Sequence, residues 1–216
     1  MAKTISSLVF DLDGTLSDPG AGITQSINYA LARHGLDPLD ISEVIPHIGP
    51  PLADMFRLFT GSTDHRLIAS CVAAYRQDYN DTGYRRNRVY EGIDHMLDTL
   101  SRCGCGMGIC TTKPKNIAEK IVTMFGWHTY FLYISGGDGG LGKDERLTRL
   151  RQDGLIDRRA MLIGDRATDL IAARKARLSA AGVLWGFGSE HELRHAEPDH
   201  LLSEPGELIV LVDERR

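Results

Sequence analysis

Nothing in this sequence is apolar enough for a membrane span, basic enough for a nucleic-acid binder or rich enough in cysteine for a disulfide scaffold. Apolar runs such as Ser7 to Phe10 and Met161 to Gly164 fall far short of the roughly 20 residues a bilayer requires. The opening MAKTISSLVFDLDG runs directly into acids, so no signal peptide is expected. The 25 basic and 29 acidic residues are nearly balanced, giving a net charge of -4, and form no basic stripe. Nucleic acid is therefore not an expected partner. Of only four cysteines, Cys103 and Cys105 are one residue apart, which fits neither a zinc ribbon nor a redox pair. Cys71 and Cys110 lie in apolar patterns and read as small buried hydrophobes. These absences point to the cytoplasm, and they make the glycosylation pattern Asn80-Asp81-Thr82 a chance match. Internal repeats and low-complexity tracts are lacking too.

What is present is a set of short apolar runs at wide spacing. Ser7 to Phe10, Met107 to Cys110, Phe131 to Ile134, Met161 to Ile163 and Ala180 to Leu184 have strand length, with Asp199 to Leu202 a weaker sixth. Helical patterns fall between the later ones, over Pro114 to Phe125, Lys143 to Gln152 and Ala167 to Ala176. That alternation predicts an α/β fold built on a doubly wound parallel sheet. The stretch between the first two strands is different: it shows no strand and at least three helical patterns. One face is Ile23, Ile27, Ala30 and Leu31, ending at Gly35; another is Ile68, Val72, Tyr75 and Tyr79. With 216 residues, one main domain and a modest insertion are expected. The division predicted is a core of residues 1–16 and 89–216 with a small helical domain over 17–88.

Chemistry-bearing residues gather at the ends of the predicted strands. Leu8-Val9-Phe10 runs into Asp11-Leu12-Asp13-Gly14-Thr15, putting two carboxylates where parallel sheets place their ligands. Ionising both is costly unless a cation or a proton intervenes. Asp11 suits a charged group that binds Mg²⁺, and Asp13 suits one that holds a proton for a leaving alkoxide. Gly14 frees the backbone to present N–H groups to an anion. The second strand ends in Thr111-Thr112-Lys113-Pro114, where a hydroxyl and a helix N-terminus would hold phosphate oxygens, although threonine here equally suits an ordinary cap. Pro114 fits the first turn of that helix. The fourth ends in Gly164-Asp165-Arg166-Ala167-Thr168-Asp169, and Asp165 and Asp169 read either as caps or as hard-cation ligands.

The loop Gly136-Gly137-Asp138-Gly139-Gly140-Leu141-Gly142-Lys143 imitates two nucleotide motifs. Gly137, Gly139 and Gly142 have dinucleotide-binding spacing, and Gly137 to Lys143 matches most of a P-loop. The P-loop fails at Asp144, where a Ser or Thr should stand. The dinucleotide reading wants an early strand and an acid ~20 residues on. What remains is Lys143, a cation opening a helix at the ligand-binding edge, placed to neutralise Asp11 and a phosphoryl group together.

DLDGT after the first strand, Thr111, Lys143 and GDRATD after the fourth resemble, in that order, the haloacid dehalogenase superfamily over essentially the whole chain. The insert after the first motif, with FDLDGTLSDPGAGITQSINYAL, IGPPL at 48–52 and VYEGI at 89–93, is similar to the phosphoglycolate phosphatase-like branch. The resemblance implies a phosphatase acting on a small phosphorylated metabolite. Asp11 would attack phosphorus, and Asp13 would protonate the leaving oxygen and then deprotonate water. Mg²⁺ would be held by Asp11, the Asp13 carbonyl and Asp165, with Asp169 a ligand or an outer acid. Thr111, Thr112, Gly14 and Lys143 would bind the transferred group. Asp13 argues against a dehalogenase, and the absence of lysine from Ser17 to Arg88 argues against a phosphonate-cleaving relative. A phosphosugar mutase stays open. A receiver domain would be shorter and lack the insert, and a P-loop nucleotide binder is the third alternative. The substrate, between phosphoglycolate, a nucleoside monophosphate and a sugar phosphate, and the oligomeric state are not readable. Ile48 to Leu52, Arg57, Tyr84 to Arg86 and Arg88 are the expected substrate-selecting positions of the insert.

Overall fold

The computed structural model describes residues 5–137 and 140–213. In chain order the elements are β1 (Ser7–Phe10), β2 (Ser17–Asp18), α1 (Gly20–Ala32), α2 (Ile41–Val44), α3 (Leu52–Thr60), α4 (His65–Asp81), β3 (Arg88–Val89), α5 (Ile93–Arg102) and β4 (Gly106–Cys110). There follow α6 (Lys115–Met124), β5 (Ile134–Ser135), α7 (Lys143–Gln152), β6 (Met161–Gly164), α8 (Ala167–Lys175), β7 (Ser179–Val183), α9 (Glu190–His195), β8 (His200–Leu202) and α10 (Gly206–Asp213). They form two compact units, one reaching Asp18 and resuming at Val89, the other Pro19–Arg88.

The first unit holds a six-stranded sheet in the order β5-β4-β1-β6-β7-β8, with parallel pairing throughout. Leu8, Val9 and Phe10 of β1 are wholly buried, because a central parallel strand is covered on both faces and so reads as an unbroken apolar run. β1 pairs with β4 on one side and β6 on the other; the chain fills the first side, then crosses back beside β1 to build the second. Such a reversal opens a crevice beyond the carboxyl ends of the strands. Small side chains let α8 lie close to the sheet: Ala172 and Ala173 share a core with Val9, Leu162 and Ala180. Trp127 is among the largest fully buried side chains and donates its Nε1–H to Asp94 at 2.7 Å.

The second unit is helical. Gly22 permits α1 to approach the Gly83 carbonyl, where a Cβ would collide, and Ser26 donates to Asp78 of α4 at 2.7 Å. Tyr75 stacks on Tyr79 and meets the edge of Phe56. Asn28 bonds both the N–H and the carbonyl of Leu39, tying down the loop after α1.

Four expectations need correction. The third strand is Ile134–Ser135, not Phe131 to Ile134. Its apolar approach serves packing instead: Phe131 meets the edge of Phe10, and Tyr133 lies over Gly108, the space that a side chain there would take. The region after the first strand does contain strand, since the two-residue β2 and β3 pair with each other. Pro114 is the cap before α6 rather than a residue of its first turn. On α4, Cys71 and Ala74 are buried where Val72 was expected, and Val72 is half-buried. Of the glycine run before α7, Asp138 and Gly139 lie outside the described residues.

Candidate active site

Three strand ends of the first unit converge. The Asp11 N–H donates to the Ile163 carbonyl at 2.9 Å, so the chain leaving β1 is still held against β6. It then folds on itself, with the Leu16 and Ser17 N–H groups both donating to Leu12 and Gly14 donating to Ser17 at 2.8 Å. Gly14 has φ +82°, and a Cβ on it would strike the Asp165 carboxylate. Only glycine satisfies both demands at once.

Asp11, Asp165 and Asp169 are all buried, and each offers an oxygen within 4.8 Å of the others'. Lys143, the first residue of α7, places its ammonium 3.0 Å from Asp11 Oδ1 and in a closer ion pair with Asp169 Oδ1. Burial by itself would lower the lysine's pKa, but Asp11 and Asp169 push it well above its usual value. The other oxygen of Asp169 accepts from the Arg166 N–H at 3.2 Å, so this residue is a cap and a lysine partner together. Asp165 accepts from Thr15 Oγ1 at 3.1 Å and from the Phe187 N–H at 2.9 Å, and does not cap α8. Desolvation, followed by Asp169 and Asp11, raises its pKa to about 8.

Asp13 makes a separate pair. Its Oδ2 lies 2.8 Å from the buried Lys113 ammonium, whereas its Oδ1 is buried without a hydrogen-bond partner among the described residues. Burial raises the Asp13 carboxyl and Lys113 opposes that rise. Thr111 is buried at the end of β4, its Oγ1 accepting from the Lys113 N–H at 3.3 Å and its own N–H held by the Ser135 carbonyl at 3.0 Å. Thr112 has an exposed side chain and its carbonyl packs against Gly137. The site thus unites Asp11, Asp165, Asp169 and Lys143 in one cluster and Asp13 with Lys113 beside it.

Several members were not singled out in the sequence. Lys113 sits in a threonine motif where a charge looks solvated, yet it is buried. The Trp185-Gly186-Phe187-Gly188 turn after β7 supports the acids: Trp185 Nε1 donates to the Thr15 carbonyl at 2.9 Å, and side chains at Gly186 and Gly188 would collide with Asp165. Two glycines flanking an aromatic at a strand's carboxyl end were the available signal. Glu192 accepts from Arg166 Nε and from the Ala167 N–H, both at 2.9 Å, bracing the start of α8. Tyr90 has its pKa raised by burial and by Asp18, Asp165 and Asp13. In the helical unit, Arg57 is paired with Asp54 on the surface, Tyr84 and Arg85 interact with each other, and Ile48 is buried.

Residues 8–183 match the family model of the haloacid dehalogenase-like hydrolases. A 5'-nucleotidase of Pseudomonas aeruginosa is 39% identical over 198 residues, covering 90% of this chain and 89% of its own. A phosphoglycolate phosphatase of Xylella fastidiosa is 27% identical over 210 residues, 92% of each chain. Among solved structures, a haloacid dehalogenase-like family hydrolase of Streptococcus pneumoniae superposes with a TM-score of 0.87 at 26% identity, over 96% of this chain and 98% of that one. The chain therefore belongs to the haloacid dehalogenase-like hydrolases and, with relatives of these activities, is a phosphoric monoester hydrolase.

Proposed function

We propose that the protein hydrolyses a small-molecule phosphate monoester through an aspartyl-phosphate intermediate, with Asp11 as nucleophile and Asp13 as acid/base. The observation that carries this is the buried cluster of Asp11, Asp165 and Asp169 with Lys143 at 3.0 Å from Asp11. Four carboxylates, counting Asp13, face two ammonium groups, Lys113 and Lys143, so the ionised set has two negative charges in excess. Oxygen-only donors and that charge suit a divalent hard cation, and Mg²⁺ fits. Asp11 and Asp165 would hold it with the Asp13 carbonyl, and Asp169 would serve as a ligand or as the acid holding Lys143. Bound there, the cation would neutralise phosphoryl oxygens.

The chain's own groups do the rest. Lys143 orients Asp11 and offsets charge on the transferred group; Thr111 and Thr112 bind its oxygens, whereas the Gly14 N–H expected to join them already donates to the Ser17 carbonyl. In the first step an Asp11 oxygen bonds to phosphorus, the ester P–O bond breaks, and the alcohol leaves with the Asp13 proton. In the second, water bonds to phosphorus, the Asp11 bond breaks, and Asp13 takes the water's proton. Positioning and charge neutralisation dominate such transfers. Nucleoside 5'-monophosphates are the first substrates to test, given the 39% identical 5'-nucleotidase, with phosphoglycolate next.

A panel of these monoesters, assayed with Mg²⁺ and with EDTA, beside Asp11→Asn, tests the reading. Turnover should vanish in EDTA and in the variant. Metal-independent turnover, or full activity without the Asp11 carboxylate, overturns it.

A further inference from the structure

The two oxygens of Asp13 are not equivalent, and the difference has a chemical consequence. Oδ2 lies 2.8 Å from the Lys113 ammonium, while Oδ1 is a buried oxygen with no hydrogen-bond partner among the described residues. An ammonium donates and never accepts. An oxygen that receives its N–H would accept more weakly if it also carried the carboxyl proton, so a proton on Asp13 is favoured on Oδ1. The geometry points to Lys113 as a positioning residue that makes Oδ1 the working oxygen of Asp13, the one that gives the proton to the leaving group and takes it back from water. This rests on the reading of Asp13 as the acid/base.

The lysine is built for the task. Only 5% of its side chain is exposed, so solvent does not dilute the pair. Its backbone is fastened at both ends, the N–H to Thr111 Oγ1 at 3.3 Å and the carbonyl to the Gly137 N–H at 2.8 Å. Gly136 and Gly137 allow that approach, because side chains at either would collide with the 112–115 backbone. A carboxylate has two-fold freedom about its terminal torsion. Held through Oδ2, Asp13 meets leaving group and water with the same oxygen in both steps. In the first, the Oδ1–H bond breaks as the alcohol O–H forms; in the second, a water O–H breaks as Oδ1–H is restored.

A leaving group's need for a proton is the readout. p-Nitrophenolate departs unaided, whereas an alkoxide requires the proton. We compare Lys113→Met and Lys113→Arg with the wild type on p-nitrophenyl phosphate and on an alkyl phosphate, with Asp13→Ala as reference and rapid quench to resolve nitrophenolate release. General acid catalysis contributes about 10²–10⁴-fold. In Lys113→Met, kcat on the alkyl substrate should fall at least about tenfold more than the nitrophenolate burst rate, with little change in KM. Steady-state turnover of the aryl ester should slow as well, since water activation uses the same oxygen. Lys113→Arg, a donor without acceptors, should recover most of the loss. Equal losses on both substrates, or failure of Arg to rescue, overturn the proposal. If Asp13→Ala itself does not separate the substrates, the acid/base reading of Asp13 falls; if it does and Lys113→Met does not, only the role of Lys113 falls.

Discussion

Raising the pH should weaken the metal-free protein, and Asp165 supplies much of the reason. Its carboxyl titrates near 3.8 when the chain is unfolded and at about 8 in the native site, where desolvation and the neighbouring Asp169 and Asp11 disfavour its charge. Below pH 3.8 both states hold the proton and this group leaves stability unchanged. Between 3.8 and 8 the unfolded chain has released the proton and the folded one keeps it, so stability falls by about 1.4 kcal/mol per pH unit before levelling off above 8. From pH 6 to pH 8 the loss is about 2 kcal/mol, or about 4–8 °C in Tm for a protein of this size. Mg²⁺ favours the ionised form, so the stabilisation it gives should be larger at pH 8 than at pH 6. Thermal melts in EDTA and in Mg²⁺, at constant ionic strength, measure both effects. In Asp165→Asn, which has no charge to suppress, the metal-free decline should shrink by that amount. A metal-free wild type equally stable at the two pH values, or a variant with the full decline, refutes the reasoning.

Three further outcomes follow from particular contacts. Lys143→Met removes the cation between Asp11 and Asp169 and leaves their charges buried and unpaired; urea unfolding without metal should register a loss of about 3–5 kcal/mol, and turnover should be abolished. Arg146, on the inner face of α7, is buried with no hydrogen-bond partner among the described residues on any of its three guanidinium nitrogens; Arg146→Leu should therefore raise stability, by about 1–4 kcal/mol, where truncating an ordinary core residue would lower it. Gly14→Ala puts a side chain on a positive-φ residue and into the Asp165 carboxylate; calorimetric Mg²⁺ affinity should drop at least about tenfold, because the acid must move.

The parts legible in the sequence were those in which local chemistry and global fold agree. β1 and β6 are apolar runs that end in acids, and both signals survive because a central parallel strand has no solvent face to interrupt it. The helix over Lys143–Gln152 is as expected, with its opening lysine at the cluster. The third strand was displaced because Phe131 and Tyr133 are apolar for packing on Phe10 and over Gly108, a long-range cause that periodicity does not encode. The same holds for Lys113. Its burial depends on a loop more than 20 residues away closing over the β4 end, and its partner lies 100 residues earlier. Asp165 and Asp169 looked alike as cap candidates; only the tertiary fold assigns the capping bond to Asp169 and leaves Asp165 to Thr15 and Phe187.

Because β2 pairs with β3, Pro19–Arg88 departs and returns through neighbouring doors. Topologically that segment is a cassette. A segment of different length could leave and return there without re-routing the six-stranded sheet, since close ends are what makes insertions tolerable. The acids at the sheet's strand ends lie outside that segment, so exchanging it leaves their place in the chain untouched.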